Sequence, residues 1–444
     1  MAAAHMTQRR ILRAPALLRG VALAAALLVP GWAAAQEPAA IDRLLGQMYP
    51  QLDTLYKDLH AHPELGFAET RTAARLAKEL RGLGFEVTEQ VGKTGVVALL
   101  RNGTGPTVMV RTDMDALPME EKTGLPYASR AKTTWNGRET FVAHSCGHDV
   151  HMAAWVGVAR TLSALKSQWR GTLMLVAQPA EETGAGARAM LADGLFTRFP
   201  MEAVFGMHNW PGMPAGTMAV SAGPVMASTS EFKITIRGKG SHAAMPHMGI
   251  DPVPIACQVV QGFQSIVSRN KKPLDAGVIS VTMIHAGEAS NVVPDACELQ
   301  GTVRTFTTEV LDLIERRMRQ VAEHTCAAHE ARCEFEFARN YPPTVNSPAE
   351  AAFARQVMVD ILGEDKVLAQ EPTLGGEDFA YMLQAKPGAY CFIANGDGGH
   401  RDMGHGAGPC TLHNPSYDFN DALIPLGATY WVRLAQAWLN RAPG

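Results

Sequence analysis

Apolar runs and helical segments alternate along residues 42–222 of this chain. Helical spacing of apolar residues covers 70–82 and 149–166. Four short runs are mostly apolar, at 95–101, 106–112, 171–178 and 202–207. Short strands without polar alternation are typical of a sheet that is covered on both faces. The pattern therefore predicts an α/β domain built around a central sheet.

The pattern changes at residue 229, where polar and apolar residues begin to alternate strictly as far as 237. Such alternation predicts a strand with one exposed face. The predicted elements that follow are a helix at 251–268, strands at 277–285 and 295–306, a helix at 308–328 and a strand at 332–338. This β-α-β-β-α-β order is that of a ferredoxin-like α+β module.

Beyond residue 345 the first pattern returns, with a helix at 348–362, a strand at 389–394 and a helix at 421–440. A chain of 444 residues is also long for a single core, which favours two domains. We therefore predict a mixed-sheet α/β domain formed by 36–223 and 343–444. It is interrupted by an inserted ferredoxin-like α+β domain at 224–342.

The first 35 residues have the features of a secretory signal peptide. Arginines at 9, 10, 13 and 19 precede an apolar run at 21–30, and Ala33-Ala34-Ala35 offers a cleavage site. The predicted mature chain begins at Gln36, is periplasmic or secreted, and makes no further contact with the membrane. An uncleaved anchor is the alternative, although the apolar run is short for a bilayer.

Composition excludes some classes of function. The formal net charge is −3 and the predicted mature chain has no basic run, so we expect no nucleic-acid partner. Seven cysteines are present, and an odd number leaves at least one thiol without a disulfide partner. Cys326 could pair with Cys333 and Cys391 with Cys410, or all could be buried thiols. Cys146 is the candidate for a chemical role.

Candidate metal ligands follow the predicted strands. Loops at the carboxyl ends of strands meet over one edge of an α/β sheet, where ligands bind. Adjacent carboxylates in one site repel each other unless a cation or a proton neutralises them. The residues with metal-binding side chains at such positions are Asp113, Asp115, Cys146, His148, Glu181, Glu182, His208 and His413. His151, within a predicted helix, is expected to have no metal role.

Seven motifs together resemble the aminoacylase and carboxypeptidase family of co-catalytic metallopeptidases. They are similar in particular to its amidohydrolase branch, which includes hippurate hydrolases and plant auxin-conjugate hydrolases. The resemblance extends over residues 42–440 and implies that the inserted domain is a lid and dimerisation domain, and that the protein is a homodimer. The motifs are RTDMDALP, HSCGHDVHM, QPAEETGAGA, MHNWP, SHAAMPHMGIDP, GGEDFAYM and LHNPSYDFND.

The resemblance implies two divalent metal ions per subunit, with Glu181 as the catalytic acid and base. Peptidase members of the family have a His-x-Asp pair where this chain has Asp113 and Asp115, which are therefore candidates either as ligands or as residues that hold the ligands. Zinc suits thiolate and imidazole, while manganese, cobalt and nickel remain alternatives. The implied metal ligands are Cys146, His148, Glu182, His208 and His413.

Three further residues are expected to act on the substrate. The resemblance implies that His242 and Asn291 reach the active site across the dimer, His242 as a donor to the oxyanion. Gly376, within Gly375-Gly376-Glu377-Asp378, lies in a loop that either binds one end of the substrate or holds the metal ligands.

The expected activity is hydrolysis of N-acyl amino acids to a carboxylic acid and a free amino acid, by metal-activated water with a glutamate base. An exported carboxypeptidase or dipeptidase that cleaves short peptides is the alternative within the same reaction class. A periplasmic binding protein without catalytic activity is the alternative from another class, although it would not need adjacent glutamates or a thiol in its cleft.

Overall fold

The computed structural model describes residues 30–401 and 408–441. Of the described residues, 30–40 belong to one unit, and those from Ile41 onwards form a second, compact unit. The predicted signal segment lies largely outside the described residues. Within the described part of the chain, no helix combines the length and apolarity needed to cross a membrane.

Ten α-helices are present in the described residues. They are α1 (Pro30–Ala61), α2 (Thr70–Gly82), α3 (His148–Ala164), α4 (Gly186–Ala192), α5 (Leu195–Arg198), α6 (Pro252–Ser265), α7 (Thr308–Ala328), α8 (Pro348–Leu362), α9 (Ala380–Ala385) and α10 (Ile424–Leu439).

Eighteen strands accompany them in the same residues. They are β1 (Glu86–Val91), β2 (Gly95–Asn102), β3 (Thr107–Asp113), β4 (Lys132–Trp135), β5 (Arg138–Phe141), β6 (Gly171–Gln178), β7 (Ala203–Pro211), β8 (Met218–Ala219), β9 (Gly223–Met226), β10 (Thr229–Arg237), β11 (Ser241–His242), β12 (Gly277–Ala286), β13 (Val292–Val293), β14 (Ala296–Thr305), β15 (Arg332–Tyr341), β16 (Thr344–Asn346), β17 (Val367–Leu368) and β18 (Gly388–Gly396).

The larger sheet has eight strands in the order β1-β2-β6-β3-β7-β18-β8-β17. Its centre, from β6 through β3 and β7 to β18, is parallel, whereas β1, β2 and β6 pair antiparallel. Alternate residues of β6 enter separate cores on the two faces, as Leu173 and Met174 illustrate. The mixed α/β sheet expected from the continuous apolar runs is therefore confirmed.

A second sheet, of four strands, occupies residues 229–341 in the order β12-β14-β10-β15. Helices α6 and α7 pack on one face around a separate core that includes Ile234, Phe263 and Met318. The other face carries polar residues such as Glu231 and Lys233 and has no helix over it in the described residues. The element order is the β-α-β-β-α-β order that the sequence predicts. The strands that enter and leave this module, β9 and β16, pair with each other.

Several local predictions need correction. The last helix begins at Ile424 and not at 421, because Asp421–Leu423 form a 3₁₀ turn. All seven cysteines are free thiols, and neither suggested disulfide is formed. Cys391 and Cys410 donate instead to the carbonyl oxygens of Gly206 and Asp418.

Candidate active site

The candidate site lies at the carboxyl ends of three neighbouring parallel strands. Strand β3 ends at Asp113, β6 ends at Gln178 just before Glu181, and His208 lies in the last part of β7. Cys146 and His148 come from the turn that begins α3. That turn requires Gly147, which has a φ of +81° and whose added Cβ would lie 2.3 Å from the Asn209 amide nitrogen.

The five predicted metal ligands come together in the structure. Cys146 Sγ lies 3.4 Å from His208 Nε2, and Glu182 Oε2 lies 3.3 Å from His413 Nε2. The other oxygen of Glu182 lies 3.9 Å from His148 Nε2. The donor atoms of Cys146, His148 and His208 all lie within 4.8 Å of one another, as do those of Cys146, Glu182 and His413. Cys146 therefore connects two groups of donor atoms.

The histidine rings are oriented for metal binding. His148 donates from Nδ1 to the Asp115 carbonyl oxygen at 2.7 Å, and His208 donates from Nδ1 to the Asn209 carbonyl oxygen at 2.6 Å. Each bond orients the ring so that Nε2 faces the cluster, where it binds a metal once it carries no proton. Buried polar atoms normally have partners, yet His148 Nε2 and Glu182 Oε1 have none among the described residues. These donors therefore fit a pair of divalent cations.

Asp115 supports the turn that carries the two glutamates. Its Oδ1 and Oδ2 accept the backbone N–H groups of Glu181 and Glu182, each at 3.0 Å. Asp113 accepts from Arg111 and from His151, both at 2.7 Å. Both aspartates thus hold other site residues, which is one of the two roles that the sequence leaves open, and Asp113 also belongs to a group of possible metal donors with His148 and His151.

His151 lies in a helix, as predicted, but it belongs to the site. Its Nδ1 binds Asp113, and its Nε2 accepts the backbone N–H of Asn209 at 2.9 Å. Both ring nitrogens of His151 therefore have protein partners in this structure. It links α3 to β7, which the sequence did not indicate.

Arg111 organises the other side of the site and was missed by sequence reasoning. Its side chain is 0% exposed and donates to Gln178 and Glu377, both at 2.9 Å, as well as to Asp113. Asp378 lies 3.5 Å from the same guanidinium. An arginine inside an otherwise apolar strand was the available signal, since a buried arginine requires partners.

Glu181 lies between the cluster of predicted metal ligands and the carboxylates that surround Arg111. Its carboxylate oxygen is within 4.8 Å of those of Glu377 and Asp378, and also close to Glu182. Burial and then the neighbouring carboxylates raise the pKa of Glu181 well above its usual value. The same factors raise the pKa of the Cys146 thiol, so that a thiolate here requires a cation beside it.

A cavity of about 740 Å³ opens over this cluster and extends to the exposed face of the four-stranded sheet. Gly376 lines it, as expected for a loop next to the substrate, together with Tyr341 and Arg304. His242 and Asn291 do not line it. Both are exposed, and His242 Nδ1 accepts the Ala244 N–H at 3.0 Å within its own loop. Within one chain, the structure therefore does not bring these two residues to the site.

A buried histidine connects α1 to the start of α3, next to His148. His60, near the end of α1, binds Asp149 at 2.7 Å and Glu121 at 3.1 Å. Burial alone would lower the pKa of His60, but the hydrogen bonds with the two carboxylates outweigh it and raise the pKa to about 10. His60 is therefore an imidazolium at neutral pH and holds Asp149, the residue next to His148.

Comparisons with known proteins agree with this geometry. The chain matches peptidase family M20/M25/M40 over residues 109–437. It is 37% identical over 389 residues to N-acetylcysteine deacetylase of Bacillus subtilis, covering 87% of this chain and 96% of the relative. It is 34% identical to hippurate hydrolase of Campylobacter jejuni over 392 residues, with 88% and 97% covered.

Two further proteins extend the comparison. Thermostable carboxypeptidase 1 of Saccharolobus solfataricus is 37% identical over 392 residues, which cover 87% of this chain and 94% of the relative. The crystal structure of Bacillus subtilis YXEP, described as a dinuclear metal-binding peptidase of family M20, has a TM-score of 0.75 and 32% identity, with 89% of this chain and 100% of that chain covered. The resemblance to the amidohydrolase branch is thereby confirmed.

We expect His60→Gln to lower the free energy of unfolding by about 3–5 kcal/mol at pH 6, because two buried carboxylates lose their cation. The pKa of His60 is raised from 6.5 to about 10 on folding, so its contribution is complete below pH 6.5 and disappears as the pH rises to about 10. Urea unfolding of both proteins at pH 6 and pH 9 measures this. The difference between them should shrink at pH 9.

The matched control is His62→Gln, which changes the exposed histidine just after α1 and should alter the unfolding free energy little at either pH. A His60→Gln deficit that is equal at pH 6 and pH 9 would contradict the charged state assigned to His60.

Proposed function

Because the chain belongs to peptidase family M20/M25/M40, we propose that it hydrolyses the amide bond of N-acyl amino acids. Amide hydrolysis is the reaction class of this family, and two of the relatives are named for deacetylation of N-acetylcysteine and hydrolysis of hippurate. The observation that carries the proposal is the convergence of five ligand-type side chains from Cys146 to His413, with Glu181 beside them.

We propose that Cys146, His148, Glu182, His208 and His413 hold two divalent cations. The set combines a thiolate, three imidazoles and a carboxylate, which favours zinc, with manganese, cobalt and nickel as alternatives. A pair of cations here would lower the pKa of a shared water towards neutrality and polarise the amide carbonyl.

Glu181 supplies the proton transfer in this mechanism. Its carboxylate accepts a proton from water as the water oxygen attacks the amide carbon, and then delivers that proton to the departing nitrogen. The raised pKa of Glu181, caused by burial and by the carboxylates of Glu377 and Glu182, makes the protonated form accessible for the second step. Asp115 keeps the Glu181 backbone fixed during both transfers.

The position of Arg304 favours a substrate that carries a negative charge. Arg304 lies on β14, is half-buried, and is the one Arg or Lys among the described residues that line the cavity. Glu231, which also lines the cavity, interacts with its charge, but Arg304 forms no ion pair in the described part of the chain, so its guanidinium can bind the α-carboxylate of an N-acyl amino acid.

A carboxypeptidase that cleaves short peptides is the second candidate. The 37% identity to a thermostable carboxypeptidase favours it, and a peptide also presents a terminal carboxylate to Arg304. The aspartate at position 113, where peptidase members have histidine, favours the N-acyl amino acid. Turnover of dipeptides alone, in a panel with hippurate and N-acetyl amino acids, would reverse this order.

We further propose that the four-stranded module is a lid that dimerises and contributes His242 and Asn291 to the partner's site. His242 pairs with Val292 in the small β11–β13 sheet, Asn291 directly precedes β13, and both residues are exposed. The exposed apolar side chains of this module include Val292 and, on β12, Met283 and Ile284. Exposed apolar clusters of this kind mark protein–protein contacts. We also propose that residues 1–35 are a signal peptide that directs export to the periplasm.

Glu181→Gln should reduce kcat by at least about 10³-fold, since a carboxamide accepts no proton from water. Its metal content, measured by elemental analysis after purification without chelator, should equal that of the native protein. The contrasting variant Glu182→Gln should lose metal. Unchanged turnover by Glu181→Gln would remove Glu181 from its role.

Arg304→Met should raise KM for N-acyl amino acids about 10- to 100-fold, because a charge-assisted hydrogen bond to the substrate carboxylate is lost. The same variant should act normally on the matching N-acyl amino acid amides, which lack that carboxylate. Arg304→Lys serves as the control that keeps the charge. Equal losses on acids and amides would contradict a carboxylate-binding role.

Mixing the inactive variants Glu181→Gln and His242→Ala tests the lid proposal. A heterodimer contains one site with intact Glu181 and an intact His242 from the other subunit, so an equal mixture should recover about a quarter of native activity after subunit exchange. No recovery, with heterodimers verified by mass spectrometry, would place His242 outside the neighbouring site.

A further inference from the structure

A buried carboxylate from the N-terminal part of the chain contacts the turn after β6 that carries Glu181 and Glu182. This turn, Ala180-Glu181-Glu182, is called the catalytic turn below. Glu69 is 0% exposed, and its Oε1 accepts the backbone N–H of Ala180 at 2.7 Å. Its Oε2 accepts the hydroxyl of Thr94. No ion pair to Glu69 occurs among the described residues, so these hydrogen bonds are its main compensation for burial. Burial, and then the charge of Asp115, raise the pKa of Glu69 to about 7, so a carboxyl group kept buried here needs a reason.

Helix capping is not that reason. Glu69 precedes α2 in the N-cap position, but its side chain makes no capping hydrogen bond. Glu64 performs this task, since its two oxygens accept the backbone N–H groups of Arg71 at 3.0 Å and Thr72 at 2.8 Å. The side chain of Glu69 points away from its own helix, towards the end of β6.

Three successive backbone N–H groups of the catalytic turn are held by two buried carboxylates. Glu69 binds Ala180, and Asp115 binds Glu181 and Glu182. The loops that carry the two carboxylates are also joined to each other, because the Ala116 N–H donates to the Glu64 carbonyl oxygen at 2.9 Å. The base and its neighbouring ligand therefore sit on a backbone that is fixed at three consecutive positions.

Ala180 has a backbone conformation that is unfavourable for a residue with a Cβ, so the turn must be held in place by its contacts. Its φ is +49°, in the left-handed region that costs a residue with a Cβ about 1 kcal/mol. Gly66 packs directly on it, and a Cβ at Gly66 would lie 3.0 Å from the Ala180 Cα. The hydrogen bond from the Ala180 N–H to Glu69 opposes a change of φ at Ala180 to a negative value.

We propose that Glu69 is a positioning residue that holds Ala180 in the left-handed region and thereby aims Glu181 at the water and Glu182 at the metal. The proposal rests on the proposed function for the role of Glu181, but its effect on Glu182 is independent of any substrate. Glu69 lies outside the span 109–437 over which the family match extends.

The test compares Glu69→Ala with Glu69→Gln in the full-length metal-loaded enzyme. Glu69→Ala should lose about 10- to 100-fold in affinity for Co²⁺, followed by the thiolate-to-cobalt absorption of Cys146, and a similar factor in kcat with KM changed less than about threefold. Glu69→Gln keeps an oxygen for the Ala180 N–H and a donor for Thr94, so it should remain within about threefold of native in both measurements.

Two more variants separate positioning from general destabilisation. Glu64→Ala removes the cap of α2 and should lower the melting temperature without altering kcat or Co²⁺ affinity. Adding Ala180→Gly to Glu69→Ala should restore several-fold of the lost kcat and affinity, because glycine adopts a positive φ without strain.

Co²⁺ affinity and kcat within about twofold of native in Glu69→Ala would overturn the proposal, and so would an equal loss in Glu64→Ala. If the native enzyme cleaves no N-acyl amino acid, the proposed function fails. The Co²⁺ titrations of the same variants still decide the role of Glu69.

Discussion

The structure depends on burying several carboxylates at one edge of a sheet. Asp113, Glu377 and Asp378 share the guanidinium of Arg111. No Arg or Lys of the described residues pairs with Glu181 or Glu182, and the nearest partners of Glu182 are the imidazoles of His413 and His148, at 3.3 and 3.9 Å. Buried charges of one sign are tolerated only with compensation. One side of the cluster therefore has an internal cation, and the other side requires cations from solution.

This division explains why the site has two layers of contacts. Side chains that bind Arg111 or the backbone, such as Asp113 and Asp115, have their oxygens occupied. Side chains of the proposed metal site, such as His148 and Glu182, keep one atom without a hydrogen-bond partner among the described residues. The inner layer fixes the geometry, and the outer layer is left for metal and substrate. A chain with the same ligands but without Arg111 would have no fixed frame on which to arrange them.

Periodicity and strand ends were sufficient for much of this picture. The helix at 308–328 and the strand at 171–178 were predicted with their observed bounds because their patterns are long or uniformly apolar. Glu182 and His208 could be singled out because they lie at the ends of strands, whereas the full set of ligands, with Cys146, His148 and His413, was implied by the resemblance to the family. The contacts of Glu69, His60 and Arg111 could not be predicted, since each joins segments far apart in sequence and none creates a local pattern. Short strands such as Met218–Ala219 exist only through their neighbours and carry no signal of their own.

The replacement of histidine by Asp113 at the end of β3 has consequences for the whole site. Asp113 is committed to His151 and Arg111, and moving it towards a metal would leave a buried guanidinium with one fewer partner. A metal ligand must therefore come from elsewhere, and Cys146 enters the cluster from the turn before α3. Burial first, and then the carboxylates of Glu182 and Glu181, raise the pKa of this thiol, so it binds a cation only by releasing its proton. The proposed ligand role of Cys146 thus couples metal binding to proton release from its thiol, because Asp113, at the strand position that would otherwise supply a ligand, holds Arg111 and His151.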